Sequence, residues 1–187
     1  MSTLVENSPR AWSERALQPA PWSASLWSER GQVQRFLACL AHLELREGDT
    51  LLDFGAGTGR LCEFLPTEVS YHAYDWAPGM LARVRQEHER ATVHEELPAM
   101  LFDHVVCVGC FNLRDSWTRE QTWQRLSELW TLHTRRTLVV SLYRGLDLNG
   151  ISYSPEAVCE FVRRMGCERF ALDARHLAND LVLEMRR

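Results

Sequence analysis

Hydrophobic residues follow two spacings along the chain, and their alternation predicts strands separated by helices. Short apolar runs bounded by glycine, proline or aspartate predict seven strands, at 50–54, 69–74, 92–94, 102–108, 137–143, 170–174 and 181–185. Apolar residues at helical spacing predict helices at 26–45, 60–65, 78–90, 117–133 and 155–165. Strands that alternate with helices imply βαβ units and a mostly parallel sheet, a doubly wound α/β fold. The last two strands form a hairpin, which adds one antiparallel strand.

The length of 187 residues is typical of one domain. Residues 1–23 contain Pro9, Pro19 and Pro21 and are predicted to form an irregular or partly helical N-terminal arm. Residues 24–187 then form the domain itself. The tryptophans of this region, Trp12, Trp22 and Trp27, either cover a site or pack internally, and packing is favoured for Trp27. Arg30 and Arg35 on the following helix are interpreted as part of a solvated face.

Composition limits the classes of function. The net charge of -4 argues against a protein that coats nucleic acid. All 21 basic residues are arginine, which excludes lysine nucleophiles and Schiff bases. No apolar run approaches the roughly 20 residues of a membrane span, and no signal peptide is visible, so a cytoplasmic protein is expected.

The six cysteines do not suggest a disulfide framework or a metal site. Cys107 and Cys110 form a CxxC pair, but it lies in a pattern typical of a buried strand and lacks a second pair of ligands nearby. They are interpreted as core cysteines, and no metal site is predicted.

A glycine-rich loop follows the first predicted strand and carries the strongest signal of function. The segment LLDFGAGTG has the spacing G-x-G-x-G, preceded by Asp53 at the end of the strand. Glycines at this place let a ligand approach the backbone closely. A dinucleotide fingerprint would have a small residue at position 60, which is Arg60 here. An anionic Asp53 favours a cationic ligand over a pyrophosphate.

An acidic residue ends the next strand. Asp75 follows Gly55 by 20 residues, a spacing at which a carboxylate accepts hydrogen bonds from both ribose hydroxyls of a nucleotide. Trp76 offers an apolar face for an adenine.

These segments resemble class I S-adenosylmethionine-dependent methyltransferases. LLDFGAGTGRL is similar to the first motif of that family, and YDWAPGMLARVR to its second region. FDHVVCVGCFNL and TLVVSLY resemble its fourth and fifth strands, so the resemblance covers about residues 24–187. It implies a seven-stranded sheet in the order 3-2-1-4-5-7-6, with the last strand antiparallel and helices on both faces.

The resemblance also implies the positions of the cofactor contacts. Asp53, Gly55, Gly57 and Gly59 would surround the methionine portion, and Asp75 would hold the ribose. Trp76 and Met80 would lie beside the adenine, with either Glu95 or Glu96 at its amine. Phe54, Ala56 and Cys107 complete the expected contacts with S-adenosyl-L-methionine.

The acceptor is the less determined half of the site. The fourth strand ends in CVGCFN rather than the (N/D)PPY pattern of methyltransferases that act on adenine or glutamine. A small-molecule acceptor, such as a sugar or natural product, is therefore favoured over nucleic acid. The candidate acceptor-side residues are Phe111, Asn112, Arg114, Tyr143 and His176, of which Asn112, Tyr143 and His176 are the candidate catalytic residues.

Two other functions remain open from the sequence. A protein that binds S-adenosylmethionine without catalysis, or supports a partner methyltransferase, would keep the same fold. A nicotinamide-dependent oxidoreductase would share the first βαβ unit, although Arg60 counts against it. The oligomeric state and the methylated atom are not determined.

Overall fold

The fold is organised by one seven-stranded sheet. The computed structural model describes residues 6, 8–24, 26–113, 117–145, 150–175 and 177–187. The strands are β1 (Thr50–Phe54), β2 (Ser70–Tyr74), β3 (Thr92–His94), β4 (Phe102–Val108), β5 (Thr134–Tyr143), β6 (Arg169–Asp173) and β7 (Asp180–Arg186). Their order is β3-β2-β1-β4-β5-β7-β6, as predicted. β7 runs antiparallel to both of its neighbours, and the other pairings are parallel.

Helices cover both faces of this sheet. They are α1 (Pro9–Arg15), α2 (Pro21–Ala24), α3 (Glu29–Leu40), α4 (Pro78–Glu87), α5 (Arg119–Glu128) and α6 (Pro155–Arg164), with a 3-10 helix at Arg60–Phe64 and a π-helical turn at Leu129–His133. Side chains of α5 and α6 pack on one face of the sheet, and those of α3, α4 and the 3-10 helix on the other. A central parallel strand covered in this way is apolar along its whole length. Every residue of β4 is accordingly buried.

The largest departure from the predicted elements is at the helix before β1. The apolar spacing predicted a helix over 26–45, but α3 is Glu29–Leu40. It begins where the Ser28 hydroxyl accepts a hydrogen bond from the Gly31 amide, a standard N-cap. Leu43 and Leu45 follow the helix and still pack against the core. The predicted helix was too long because residues after its end are also apolar and packed against the core.

A second departure concerns the junction between α5 and β5. The predicted strand began at residue 137, whereas β5 begins at Thr134, immediately after the π-helical turn. The Thr134 hydroxyl donates a 2.8 Å hydrogen bond to the Leu129 carbonyl, which closes the turn without a loop. Thr134 pairs with Phe102, so the extra residues extend the β4–β5 ladder.

The described part of the N-terminal arm packs against the start of α4. The Gly79 amide donates a 3.0 Å hydrogen bond to the Ser13 hydroxyl. Arg83 donates to the carbonyls of Ala16, Gln18 and Pro19. These contacts hold the arm beside the carboxyl end of the sheet. Within the described residues, we find no helix with the length and apolar character needed to cross a membrane.

Candidate active site

A cavity of about 580 Å³ opens at the carboxyl ends of the central strands. This is the edge at which ligands bind in open α/β sheets, and the volume lies within the usual range for a small-molecule site. Most of the residues predicted from the sequence line it, namely Asp53, Phe54, Gly55, Ala56, Gly57, Asp75, Trp76, Met80, Asn112 and Tyr143. The structure thus brings together side chains from four strand ends.

The glycine loop curls from the end of β1 onto the end of β2. The amides of Gly55 and Ala56 both donate to the Tyr74 carbonyl, over 2.8 and 3.0 Å. Gly55 and Gly57 have φ values of 78° and 55°, which L side chains rarely adopt. A Cβ on Gly55 would also lie 2.5 Å from the Cβ of Cys110. The first glycine is therefore required both by its φ and by the close approach of the loop after β4.

The Asp75 carboxylate ties this loop to the end of β2. One oxygen accepts a 2.9 Å hydrogen bond from the Gly57 amide, and the other accepts one of 2.9 Å from the Ala77 amide. Burial raises the pKa of Asp75, and these amides partly oppose that rise. The Trp76 amide also acts on this carboxylate, and because two oxygens can accept four hydrogen bonds in all, acceptor capacity remains for a ligand.

Asp53 lies at the base of the cavity and is almost completely buried. The Tyr71 hydroxyl donates a 2.7 Å hydrogen bond to it. Burial raises the pKa of Asp53 to about 7, although the Tyr71 hydrogen bond acts in the opposite direction. A carboxyl group with this pKa is partly ionised at neutral pH, and a nearby positive charge would favour its ionised form.

Four predicted cofactor contacts lie away from the cavity lining. A Cβ on Gly59 would meet Val84 and His88 at 3.0 Å, so this glycine allows helix packing rather than ligand approach. Cys107 is completely buried among core residues on one face of β4. Its neighbour in the CxxC pair, Cys110, is half-buried, packs against the same core and also lines the cavity.

Glu95 and Glu96 are both exposed. Glu95 forms an ion pair with Arg85 on the outside of α4, at 2.8 Å. Their polar side chains follow β3 as predicted, but the segment does not turn toward the cavity. The structure therefore gives neither residue a place against an adenine.

One side of the cavity is formed by residues after β2 and by the arm. Met80 is buried, whereas Trp76 is 45% exposed and offers an open indole face. Trp12 of the arm also lines the cavity. The arm therefore contributes directly to the cavity wall. The sequence alone did not decide whether its tryptophans cover a site or pack internally.

The other half of the cavity lies over β4 and β5. The Asn112 side-chain oxygen accepts a 2.9 Å hydrogen bond from the Tyr143 amide, which joins the loop after β4 to the end of β5. Phe111, predicted beside them, is completely buried and stacks with Phe54 in the core. His176 and Arg114 lie outside the described residues.

Two cavity residues were not predicted from the sequence, one on α3 and one in the segment before it. Trp27, interpreted as packing, lines the cavity, and a Cβ on Gly109 would lie 2.2 Å from its ring. Arg35, interpreted as solvated, lines the cavity with only 18% of its side chain exposed. Helical spacing gives the face of α3 on which Arg35 lies but not what that face covers, and Trp27 precedes the helix, where no spacing applies.

Further cavity residues carry charge or aromatic rings. Arg60 reaches Glu29 and Gln32 on α3, and its guanidinium lies 5.1 Å from the centre of the Trp22 ring. Arg125 of α5 pairs with Glu128 at 2.8 Å. Among the described residues, no group of three or more histidine, cysteine or acidic side chains is placed to hold a metal ion.

Comparison with known proteins identifies the fold. No family model and no curated protein matches the sequence. Solved structures do match. The structure of a DhpI-SAM-HEP complex superposes with a TM-score of 0.72 at 13% identity, over 95% of each chain. The magnesium protoporphyrin IX methyltransferase of Synechocystis, with bound SAH, gives 0.63 at 15% identity, over 94% of this chain and 92% of that one. The small RNA methyltransferase HEN1 gives 0.66 at 17% identity, over 83% of this chain and 25% of that one. The sheet order and these superpositions show that the chain has the fold of the class I S-adenosylmethionine-dependent methyltransferases.

Proposed function

We propose that this protein is an S-adenosylmethionine-dependent methyltransferase that transfers a methyl group to a small-molecule acceptor. The observation that carries the proposal is the buried Asp75 carboxylate beside the glycine loop, in the wall of the cavity. It is supported by the fold, which is shared with proteins solved with SAM or SAH bound.

The residues present fit this cofactor. Asp75 keeps acceptor capacity beyond its backbone hydrogen bonds, which recognition of a ribose hydroxyl requires. The open face of Trp76 and the buried Met80 suit the adenine. Asp53 lies beyond the glycine loop, where an ionised carboxylate would favour a positively charged sulfur. When bound, S-adenosylmethionine would supply a methyl group activated by that sulfur. An electron pair of the acceptor would form a bond to the methyl carbon as the carbon–sulfur bond breaks and S-adenosylhomocysteine is released.

The chain contributes mainly by binding and alignment. The two sides of the cavity hold donor and acceptor next to each other, and the arm restricts water on the adenine side. Asn112 and Tyr143 face the same cavity, and we assign them to positioning the acceptor. His176 remains the candidate general base. If it serves that role, His176→Ala should lower turnover by about 10²–10⁴ without changing donor affinity. A loss of less than threefold would remove it from the mechanism.

The small-molecule acceptor is supported by the shape and charge of the site. A cavity partly covered by the arm suits a small ligand better than a nucleic-acid strand, and the net charge of -4 gives no general attraction to phosphates. The fold itself does not decide the matter, since HEN1 has it as well. All six cysteines are free, which supports a cytoplasmic location.

Calorimetric titration tests the proposal. We expect the purified protein to bind S-adenosylhomocysteine and not NAD, and to transfer label from methyl-tritiated S-adenosylmethionine to a small-molecule extract. Binding of NAD alone would favour an oxidoreductase. Binding of S-adenosylhomocysteine without transfer to any extract fraction would favour the non-catalytic alternative.

A further inference from the structure

Arg35 has donor groups left over inside the cavity. Its Nε donates to an Asp180 carboxylate oxygen over 2.5 Å, and its Nη1 approaches the Gly31 carbonyl at 3.3 Å. Within the described part of the chain, Nη2 has no hydrogen-bond partner. A mostly buried guanidinium with an unused edge is costly unless a ligand or water meets it.

Asp180 fixes the direction of that guanidinium. It stands at the first residue of β7, opposite Tyr143 at the end of β5, and its side chain is completely buried. The charged hydrogen bond at Nε holds the arginine by one edge. With Nε bonded to Asp180 and Nη1 to Gly31, Nη2 is the nitrogen of this cavity-lining arginine that has no partner among the described residues.

Trp27 supports the guanidinium from one side. The Arg35 guanidinium carbon lies 4.8 Å from the centre of the Trp27 ring, a cation–π contact. That ring in turn lies directly on Gly109, the residue after β4. Arg35, Trp27 and Gly109 therefore form three successive layers at the end of β4.

This position is on the acceptor side of the cavity. The glycine loop and Asp75 follow β1 and β2, whereas the partners of Arg35 stand at β4 and β7. β7 is three strands from β1, a separation of about 14 Å at the usual strand spacing. The Asp180 partner of Arg35 thus lies away from the strand ends assigned to the donor, and its Trp27 partner lies over the end of β4.

Three of the described arginines line the cavity and each pairs with an acidic residue, but among these acidic partners only Asp180, which pairs with Arg35, is completely buried. Arg60 and Arg125 are bound by Glu29 and Glu128 respectively. The acidic residues that line the described cavity are Asp53 and Asp75, both on the donor side.

We propose that Arg35 binds an oxyanion of the acceptor, so that the substrates of this enzyme are small organic anions carrying a carboxylate or a phosphonate-type group. The inference rests on the proposed function and names the substrate class of the same site. Arginine suits this role because its planar edge can meet two oxygens of such a group. Asp180 acts through Arg35 and is a positioning residue.

The test uses protein saturated with S-adenosylhomocysteine, titrated calorimetrically at constant salt. The probes are phenylacetate and phenylphosphonate, with phenylacetamide as the neutral control. We expect at least one anion to bind at least tenfold more tightly than the amide. Which anion binds distinguishes a carboxylate acceptor from a phosphonate-type one.

Variants assign the preference to Arg35. Arg35→Gln should reduce the preference to less than threefold and leave the affinity for S-adenosylhomocysteine unchanged. Arg30→Gln, an exposed arginine on the same helix, should change neither. If Arg35→Gln fails to fold because Asp180 is left unpaired, the double variant Arg35→Gln/Asp180→Asn removes both charges and makes the same measurement.

Three results would overturn the inference. They are equal or absent binding of all three probes, a preference that persists without Arg35, and a loss of S-adenosylhomocysteine affinity in Arg35→Gln, which would assign the arginine to the donor. Failure of S-adenosylhomocysteine to bind the unaltered protein would instead refute the proposed function, and it is seen before any probe is added.

Discussion

The Asp75 carboxylate, after the end of β2, accepts a 2.9 Å hydrogen bond from the amide of Gly57 in the loop after β1. One carboxylate therefore shapes the glycine loop and also lines the cavity. A ligand that bonds to Asp75 must meet a loop that Asp75 itself has positioned. This coupling makes the acidic residue more important to the site than a single hydrogen bond would suggest.

Replacing Asp75 should weaken donor binding, both by removing a ligand acceptor and by releasing the glycine loop. Asp75→Ala removes the acceptors for the ribose and the Gly57 amide, and each charged hydrogen bond is worth about 1.5–3 kcal/mol before competition from water. We expect at least a tenfold loss of S-adenosylhomocysteine affinity by calorimetry. Asp75→Asn keeps one acceptor oxygen and should lose less.

Glu95→Ala is the matched control for the loss of an acidic residue. Glu95 is exposed and pairs with Arg85, so its removal should leave donor affinity within twofold. Unchanged affinity in a folded Asp75→Ala variant would show that the carboxylate does not hold the ribose.

Gly57→Val should abolish donor binding and leave the protein folded. The residue lines the cavity with φ of 55°, where a branched side chain is strained and would occupy ligand space. Calorimetry and circular dichroism together measure the two properties. Donor binding retained by the folded variant would mean that the loop does not approach the ligand.

Asp53 should make the stability of the free protein depend on pH. Its folded pKa of about 7 lies above the unfolded value, so between about pH 4 and 7 the folded state holds a proton that the unfolded state releases. Stability from this group is present at low pH and is lost as the pH rises through 7, by at most about 1.4 kcal/mol per pH unit.

Urea unfolding of Asp53→Asn beside the unaltered protein, from pH 5 to 8, measures this effect. The variant should gain stability relative to the unaltered protein as the pH rises, because the asparagine never ionises. A difference between the two proteins that stays constant with pH would contradict the raised pKa.

Gly109→Ala should disturb Trp27. A Cβ there would lie 2.2 Å from the indole ring, and the φ of 75° adds strain. Overpacking costs about 1–3 kcal/mol and a left-handed conformation about 1–2 kcal/mol, so we expect a loss of roughly 2–5 kcal/mol in the free energy of unfolding.

A double-mutant cycle isolates the contact. In a Trp27→Ala background the ring is absent, and Gly109→Ala should cost only the strain of its φ. Equal costs in both backgrounds would show that Trp27 does not lie on Gly109 in solution.

The order of the elements and several residues of the cavity wall were predicted by the sequence. Apolar runs and their breaks gave all seven strands to within a few residues, because strand burial leaves a local pattern. Gly55, Gly57 and Asp75 were found because each follows directly from the end of a strand, and parallel strand ends meet at one edge of the sheet. Because each of these residues lies close in sequence to the end of a strand, the spacing of residues along the chain was enough to predict it.

The tertiary structure alone decided the cavity wall near β4 and β7. Arg35 meets Asp180 across 145 positions of the chain, and Trp27 meets Gly109 across 82. Helical spacing placed Arg35 on a face of α3, but an arginine facing water and one facing a buried carboxylate have the same spacing. Gly59 illustrates the converse, since the motif predicted a ligand contact and packing against Val84 determined its role. Which residues come into contact across the fold depends on how helices pack on the sheet, and the spacing of residues along the chain does not specify those contacts.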